Sequence, residues 1–278
     1  MNIVVCMKPV PDPRRWGKLA LDPRTMLLRR AEVPAVINPL DRNAIEQAVT
    51  LRGDSGPSTG SGSFRAESRG GTVTVISMAP KEAEEQLAEA LAMGCDRAVL
   101  LSDAAFAGAD SLATARCLAA AIRRLGPVDL VFCGSYSADG STSQVGPQVA
   151  ELLDMPDLTH VTALALDGGV LRARCATEGG ETIYECDLPA LVTFDKEVNV
   201  PRLPSMTGIM KAAASGVTCW TAADLGLGPD EVGLRGSPTQ MLNIFTPPVA
   251  RKGEMLEGSP NQMAAALVER LKLRRHAS

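Results

Sequence analysis

Short runs rich in β-branched and apolar residues recur along the first half of the chain, and stretches with helical spacing separate them. Asn2–Met7, Val73–Met78 and Val128–Cys133 lack strict alternation, the pattern of strands buried on both faces of a parallel sheet. Pro80–Met93 carries Ala83, Leu87, Ala90 and Leu91 on one face and stops at Gly94, so it reads as a helix. Ala98–Leu101 is the next strand, and Asp110–Leu125 is an Ala/Leu-rich helix closed by Gly126-Pro127. This alternation predicts an α/β fold built on an open, doubly wound, mostly parallel sheet.

Past residue 160 the grammar changes. Val161–Leu166, Val170–Ala176, Thr182–Cys186 and Ala190–Phe194 are short strands with Gly-Gly pairs among them, which predicts antiparallel hairpins added to the sheet. From Val200 onward Pro and Gly recur too irregularly for a core layer. The expected division is therefore an α/β domain over 1–199 and an extended arm over 200–278 that wraps a neighbour. Asn261–Arg274 places Met263, Leu267 and Leu271 one turn apart, giving an amphipathic terminal helix that packs either on a partner or on its own domain. Gly53–Gly71 is dominated by Gly, Ser and Arg, and is expected to be a mobile surface loop.

Composition narrows the function. A net charge of −4 and only two Trp, two Tyr and five Phe give little for a phosphate backbone or stacked bases, so nucleic acid is not an expected partner. The seven cysteines form no CxxC pair, and His160 and His276 are the sole histidines, which leaves little for a metal centre or a Ser/His/Asp triad. No metal is expected. The N-terminus lacks the features of a signal peptide and no run reaches about 18 apolar residues. A cytoplasmic chain without a membrane span follows, its thiols reduced.

Three segments fall where such a sheet holds its ligand, beyond the carboxyl ends of the strands. Asn38-Pro39-Leu40-Asp41 can be a helix start, with Asn38 as N-cap, Pro39 in the first turn and Asp41 adding negative charge. Phe106–Thr114 is a small-residue loop opening a helix. Its backbone N–H groups, with the Ser111 and Thr114 hydroxyls, either cradle a pyrophosphate or are capped by Asp110. Gly134–Pro147 is a long loop of Gly, Ser and Thr with one Asp and one Gln, suited to wrapping a polar ligand. It holds no Gly-Lys-Ser/Thr, and no GxGxxG follows the first strand.

Along nearly its whole length the chain resembles the β subunit of an electron transfer flavoprotein. The resemblance rests on Met7–Asp12, on Asn38–Asp41 through Glu46, on Ser77–Pro80, on Asp139–Pro147, and on Pro201-Arg202 through Lys211-Ala212 and Val232–Thr239. Two classes share that family: ordinary members whose β subunit holds AMP, and bifurcating members whose β subunit holds a second FAD. Asp139-Gly140-Ser141-Thr142-Ser143-Gln144-Val145-Gly146-Pro147 and Ala105–Thr114 are most similar to the bifurcating class. Ser141, in place of an acidic residue, and Pro9, in place of Gln, depart from its pattern.

The resemblance implies an adenine-nucleotide-binding fold and a heterodimer with an α subunit that carries FAD. The site it implies draws on Cys6, Asn38, Pro39, Leu40, Asp41 and Met78. A further set, Gly108, Ala109, Asp110, Ser111, Ala113 and Thr114, would face the flavin side. The loop Gly134, Ser135, Tyr136, Ser137, Ala138, Asp139, Gly140, Ser141, Thr142, Ser143, Gln144 and Val145 would wrap the adenosine. No residue is expected to act as acid, base or nucleophile. NADH is the implied hydride donor. The implied acceptors are the α-subunit FAD, leading to an acyl-CoA dehydrogenase or quinone oxidoreductase, and a low-potential ferredoxin or flavodoxin. Leu203, Met206, Ile209 and Met210 match a partner-recognition segment, with Met206 as its anchor unless it packs into its own domain.

Overall fold

The computed structural model describes residues 1–18, 33–53, 70–240 and 253–275. It divides into a unit Met1–Met241 and a unit Leu242–Ser278. The expected Gly53–Gly71 loop lies outside the described residues except at its two ends.

The first unit is built on a nine-stranded sheet. Its parallel strands are β1 (Asn2–Cys6), β4 (Thr72–Met78), β5 (Arg97–Leu101), β6 (Leu130–Gly134), β10 (Ala190–Phe194) and β11 (Thr218–Trp220). β7 (Asp157–Asp167), β8 (Val170–Thr177) and β9 (Gly180–Asp187) complete the sheet, in the order β11-β5-β4-β1-β6-β10-β7-β8-β9. A two-stranded pair, β2 (Pro9–Pro11) with β3 (Ala35–Ile37), stands apart from it. The helices are α1 (Pro39–Arg52), α2 (Glu84–Met93), α3 (Ser111–Leu125), α4 (Val145–Leu153) and α5 (Met206–Ser215). In the second unit, α6 (Pro260–Arg275) covers the expected terminal helix.

Period-two geometry sends successive strand residues to opposite faces, and two separate cores result. Ile3, Val5, Val73, Val75 and Phe132 pack with Ala44, Ile45, Leu87 and Ala90, placing α1 and α2 on one face. Val4, Ile76, Val99 and Val131 pack with Ala115, Leu118, Ile122 and Val149, placing α3 and α4 on the other. This is the doubly wound arrangement the strand pattern implied. From β1 the chain winds outward through β4 to β5, then returns to place β6 on β1's opposite side. The reversal opens a crevice between the ends of β1 and β6.

Ala190–Phe194 is not a hairpin strand. It runs parallel between β6 and β7, with all five residues buried, whereas β7, β8 and β9 do form the antiparallel meander. Five consecutive buried residues suit a central parallel strand, and that signal outweighed the Gly-Gly turns before it. Residues 200–241, read from sequence as the start of an arm, lie in the first unit. β11 extends the sheet beside β5, and Ala222 and Val232 enter the α3/α4 core.

A buried ion pair fastens this segment to α1. Arg202 donates through Nε to Glu46 Oε2 at 2.8 Å and through a terminal nitrogen to Oε1 at 3.0 Å, and the Arg202 backbone N–H adds a third bond. Burial works to raise the Glu46 carboxyl, but the Arg202 bonds outweigh it and hold the group below its usual range. The pair therefore stabilises the fold above the ordinary glutamate range, and its contribution is lost as pH falls through the lowered value. Arg202→Met is expected to cost about 2 kcal/mol near neutral pH by leaving a buried carboxylate without its cation. Denaturant unfolding at two pH values checks this, because the deficit should shrink in acid.

Candidate functional site

The reversal point holds a cleft of about 850 Å³, within the size range of cofactor sites. Its walls come from the segments that follow four parallel strands: Cys6 to Lys8 after β1, Met78 to Glu82 after β4, Ser102 to Thr114 after β5, and Cys133 to Gly146 at the end of β6. All three segments singled out in the sequence meet here.

One buried carboxylate joins them. Asp41, in the first turn of α1, accepts from the Lys8 backbone N–H at 2.7 Å, from Asn38 Nδ2 at 3.0 Å and from the Gly134 backbone N–H at 3.0 Å. Burial pushes its carboxyl up to about 6, against the pull of those donors and of the Lys8 charge. Asn38 occupies the N-cap position of α1 but its side chain does not cap. It spans instead to the distant loop, donating to the Tyr136 carbonyl at 2.9 Å and accepting from the Ala138 N–H at 3.1 Å. The Asn38-Pro39-Leu40-Asp41 turn is thus a bracket for the loop.

Lys8 closes the bracket from the other side. Its Nζ lies 2.7 Å from Asp139 Oδ1 and 3.2 Å from Ser137 Oγ. The Asp139 side chain is fully buried. Within the loop, Ser141 and Ser143 both take positive φ, at 50° and 55°, a conformation that non-glycine residues hold only where surroundings impose it. The loop leads into α4, whose first turn has no side-chain cap, so its leading N–H groups remain available to a polar ligand. Ser135, 4% exposed and lining the cleft, has a hydroxyl oxygen without a hydrogen-bond partner among the described residues. An orphaned buried hydroxyl in such a place fits a bound polar group.

The start of α3 differs. Of the two readings open for Asp110, the structure shows the cap: its carboxylate accepts from the Ala113 N–H at 2.9 Å and from the Thr239 N–H at 3.0 Å. Burial works to raise this carboxyl, yet those donors hold it below its usual value. Ser111 Oγ donates to Gln144 Oε1 at 2.9 Å, tying α3 to the loop.

Of the residues expected at the site, Cys6, Asn38, Asp41, Met78, Gly108, Ala109, Asp110, Ser111 and Thr114 line the cleft. So do Gly134, Ser135, Tyr136, Ser137, Gly140, Thr142, Ser143, Gln144 and Val145. Pro39, Leu40, Ala113, Ala138, Asp139 and Ser141 do not: they build the bracket, the α3 cap and the loop's internal bonds, as when Ser141 Oγ donates to the Ser137 carbonyl. Sequence reasoning missed Lys8 and Thr239 as cleft residues. A lone Lys directly after an apolar strand was the available signal for the first. Nothing local marked the second, which arrives through the Ser237 hydroxyl accepting from the Asp110 N–H at 2.8 Å.

Leu203, Met206, Ile209 and Met210 stand elsewhere, around the start of α5. Met206 is 76% exposed and Leu203 80%, so Met206 does not pack into its own domain.

The electron transfer flavoprotein domain matches residues 25–225 of the chain. An electron transfer flavoprotein β subunit of Thermoanaerobacterium thermosaccharolyticum is 46% identical, over 99% of both chains. Subunit CarD of a caffeyl-CoA reductase–Etf complex from Acetobacterium woodii is 41% identical, over 98% of both. The electron transfer subunit gamma of an acryloyl-CoA reductase from Anaerotignum propionicum is 37% identical, again over 98% of both.

Proposed function

This chain belongs to the electron transfer flavoprotein family, and on that premise we propose that it is a β subunit whose cleft holds FAD as a catalytic cofactor of electron bifurcation. The carrying observation is the reach of the cleft, which continues past the Gly134–Gly146 loop along Ala104–Thr114. A mononucleotide in the loop would leave that second wall uncovered. When bound there, the flavin supplies hydride acceptance from NADH and single-electron transfer to the α-subunit FAD and to a ferredoxin or flavodoxin.

The protein's own part is placement. The Asp41 bracket and Lys8 hold the loop in its strained form, and the Ser135 hydroxyl and the α4 N–H groups offer donors to phosphate or ribityl oxygens. No side chain at the site needs to exchange a proton. The exposed apolar residues Leu203, Met206, Ile209 and Met210 offer a small anchor surface for an acyl-CoA dehydrogenase, an enoyl-CoA-type reductase or a quinone oxidoreductase. Relatives named for caffeyl-CoA and acryloyl-CoA reductase assemblies favour the CoA-thioester class. Among the described residues no helix is long and apolar enough to cross a membrane.

AMP is the second reading, favoured by one observation. The Asp110 carboxylate already takes N–H groups at the start of α3, which leaves that wall less suited to phosphate. The purified αβ heterodimer decides between them by its nucleotide content after denaturation and chromatography. Two FAD per heterodimer are expected; one FAD and one AMP would overturn the bifurcating assignment.

A further inference from the structure

Two of the seven cysteines meet in the floor of the cleft. β1 and β6 pair in parallel with Val5 opposite Phe132, and the next residues along each strand are Cys6 and Cys133. Both are nearly inaccessible, at 7% and 6% exposure, both belong to the α3/α4 core, and both line the cleft. The neighbouring Cys6 thiol, burial and the nearby Asp41 charge keep Cys133 protonated well above its usual range. Of the other five, Cys95, Cys117 and Cys175 are buried, Cys186 is half-buried and Cys219 is exposed.

Neighbouring strands lie about 4.8 Å apart, within the Cα separation of about 4.4–6.8 Å that a disulfide spans. We propose that Cys6 and Cys133 are a dithiol modification site for small-molecule disulfides, which enter by the cleft when no nucleotide covers its floor. The proposal rests on the nucleotide reading of the cleft for its guard, while the dithiol itself stands on the strand register.

The chemistry balances without a further oxidant. One cysteine loses its proton and attacks a sulfur of the reagent RSSR, forming a mixed disulfide and releasing RS⁻, which takes up that proton. The second cysteine then loses its proton and attacks the first cysteine's sulfur, expelling the remaining RS⁻, which leaves as RSH. Two cysteine thiols are oxidised by two electrons and RSSR is reduced to two RSH. A protonated, buried pair reacts slowly, and the observed rate scales with the unliganded fraction of the chain. The product cross-links β1 to β6 at the crevice where a nucleotide would lie.

The test treats the full-length chain with cystamine, alone and with saturating FAD or AMP, then alkylates remaining thiols and maps peptides by mass spectrometry. A Cys6–Cys133 linked peptide is expected in the ligand-free chain, with exposed Cys219 as the internal reference for reagent activity. Either nucleotide at ten times its Kd should slow linkage about tenfold. Cys133→Ser should abolish the link and leave a lasting cystamine adduct on Cys6; Cys6→Ala should place that adduct on Cys133. Complete modification of Cys219 while Cys6 and Cys133 both stay alkylatable would overturn the proposal. Linkage at the same rate with and without either nucleotide would overturn the guard, and with it the nucleotide reading, while retaining the dithiol.

Discussion

Asp41→Ala is expected to cost about 3–5 kcal/mol near pH 4, because it strips the acceptor from two part-buried backbone N–H groups and unties three segments at once. The Lys8 and Gly134 N–H groups bond to Asp41, which is itself only 5% exposed. The penalty should depend on pH in an unusual direction. Burial raises the Asp41 carboxyl to about 6 from an ordinary 3.8. The folded state therefore holds a proton that the unfolded chain has released between those values. Native stability from this group is full below the ordinary value and is lost as pH rises through about 6, by up to roughly 3 kcal/mol. The alanine variant has no such group, so its deficit should shrink on going from pH 4 to pH 7. Urea unfolding of both proteins across that range measures the difference directly. A deficit that instead grows with pH would show that Asp41 is stabilised in its ionised form.

Gly134→Val is expected to cost about 3 kcal/mol and to empty the cleft of nucleotide. A Cβ at this position would lie 2.5 Å from Asp41 Oδ1 and 2.7 Å from Leu40 Cβ, with the Leu40 backbone 2.9 Å away. Nothing there can yield cheaply. The carboxylate is fixed by its three donors, and α1 is pinned to the sheet by Ile45, Ala48 and Val49. The glycine is needed for close approach between the end of β6 and the start of α1. Gly253→Ala is the control, since its Cβ would meet no atom within 4 Å and the position lies outside the cleft. Thermal unfolding and retained nucleotide should separate the two, with Gly253→Ala close to the parent in both.

Much of this architecture was legible in the chain. Residues 2–7, 73–78 and 98–101 carry strands because their apolar runs have no polar face to present to water, which forces burial on both sides and thus a parallel sheet with helices above and below. The Gly134–Pro147 loop declared itself by composition, because so many small polar residues in one connection cannot form a core layer. The family resemblance rested on those same segments.

What pattern could not decide were contacts between positions far apart in sequence. Ala190–Phe194 is apolar whether it closes a hairpin or sits between β6 and β7; only the competition of all strands for neighbours settled its direction and place. Residues 232–239 carry no periodicity of their own, and become structural through Ser237 and Thr239 meeting Asp110 across more than a hundred residues. Asn38 has the sequence signature of a cap and spends its side chain on a loop instead, because the fold carries Tyr136 and Ala138 within its reach. Local sequence determines which segments must be buried and which can turn. Pairing of Cys6 with Cys133, of Lys8 with Asp139 and of Asp41 with Gly134 depends on which strands become neighbours, and that is a property of the whole chain's minimum, not of any segment in it.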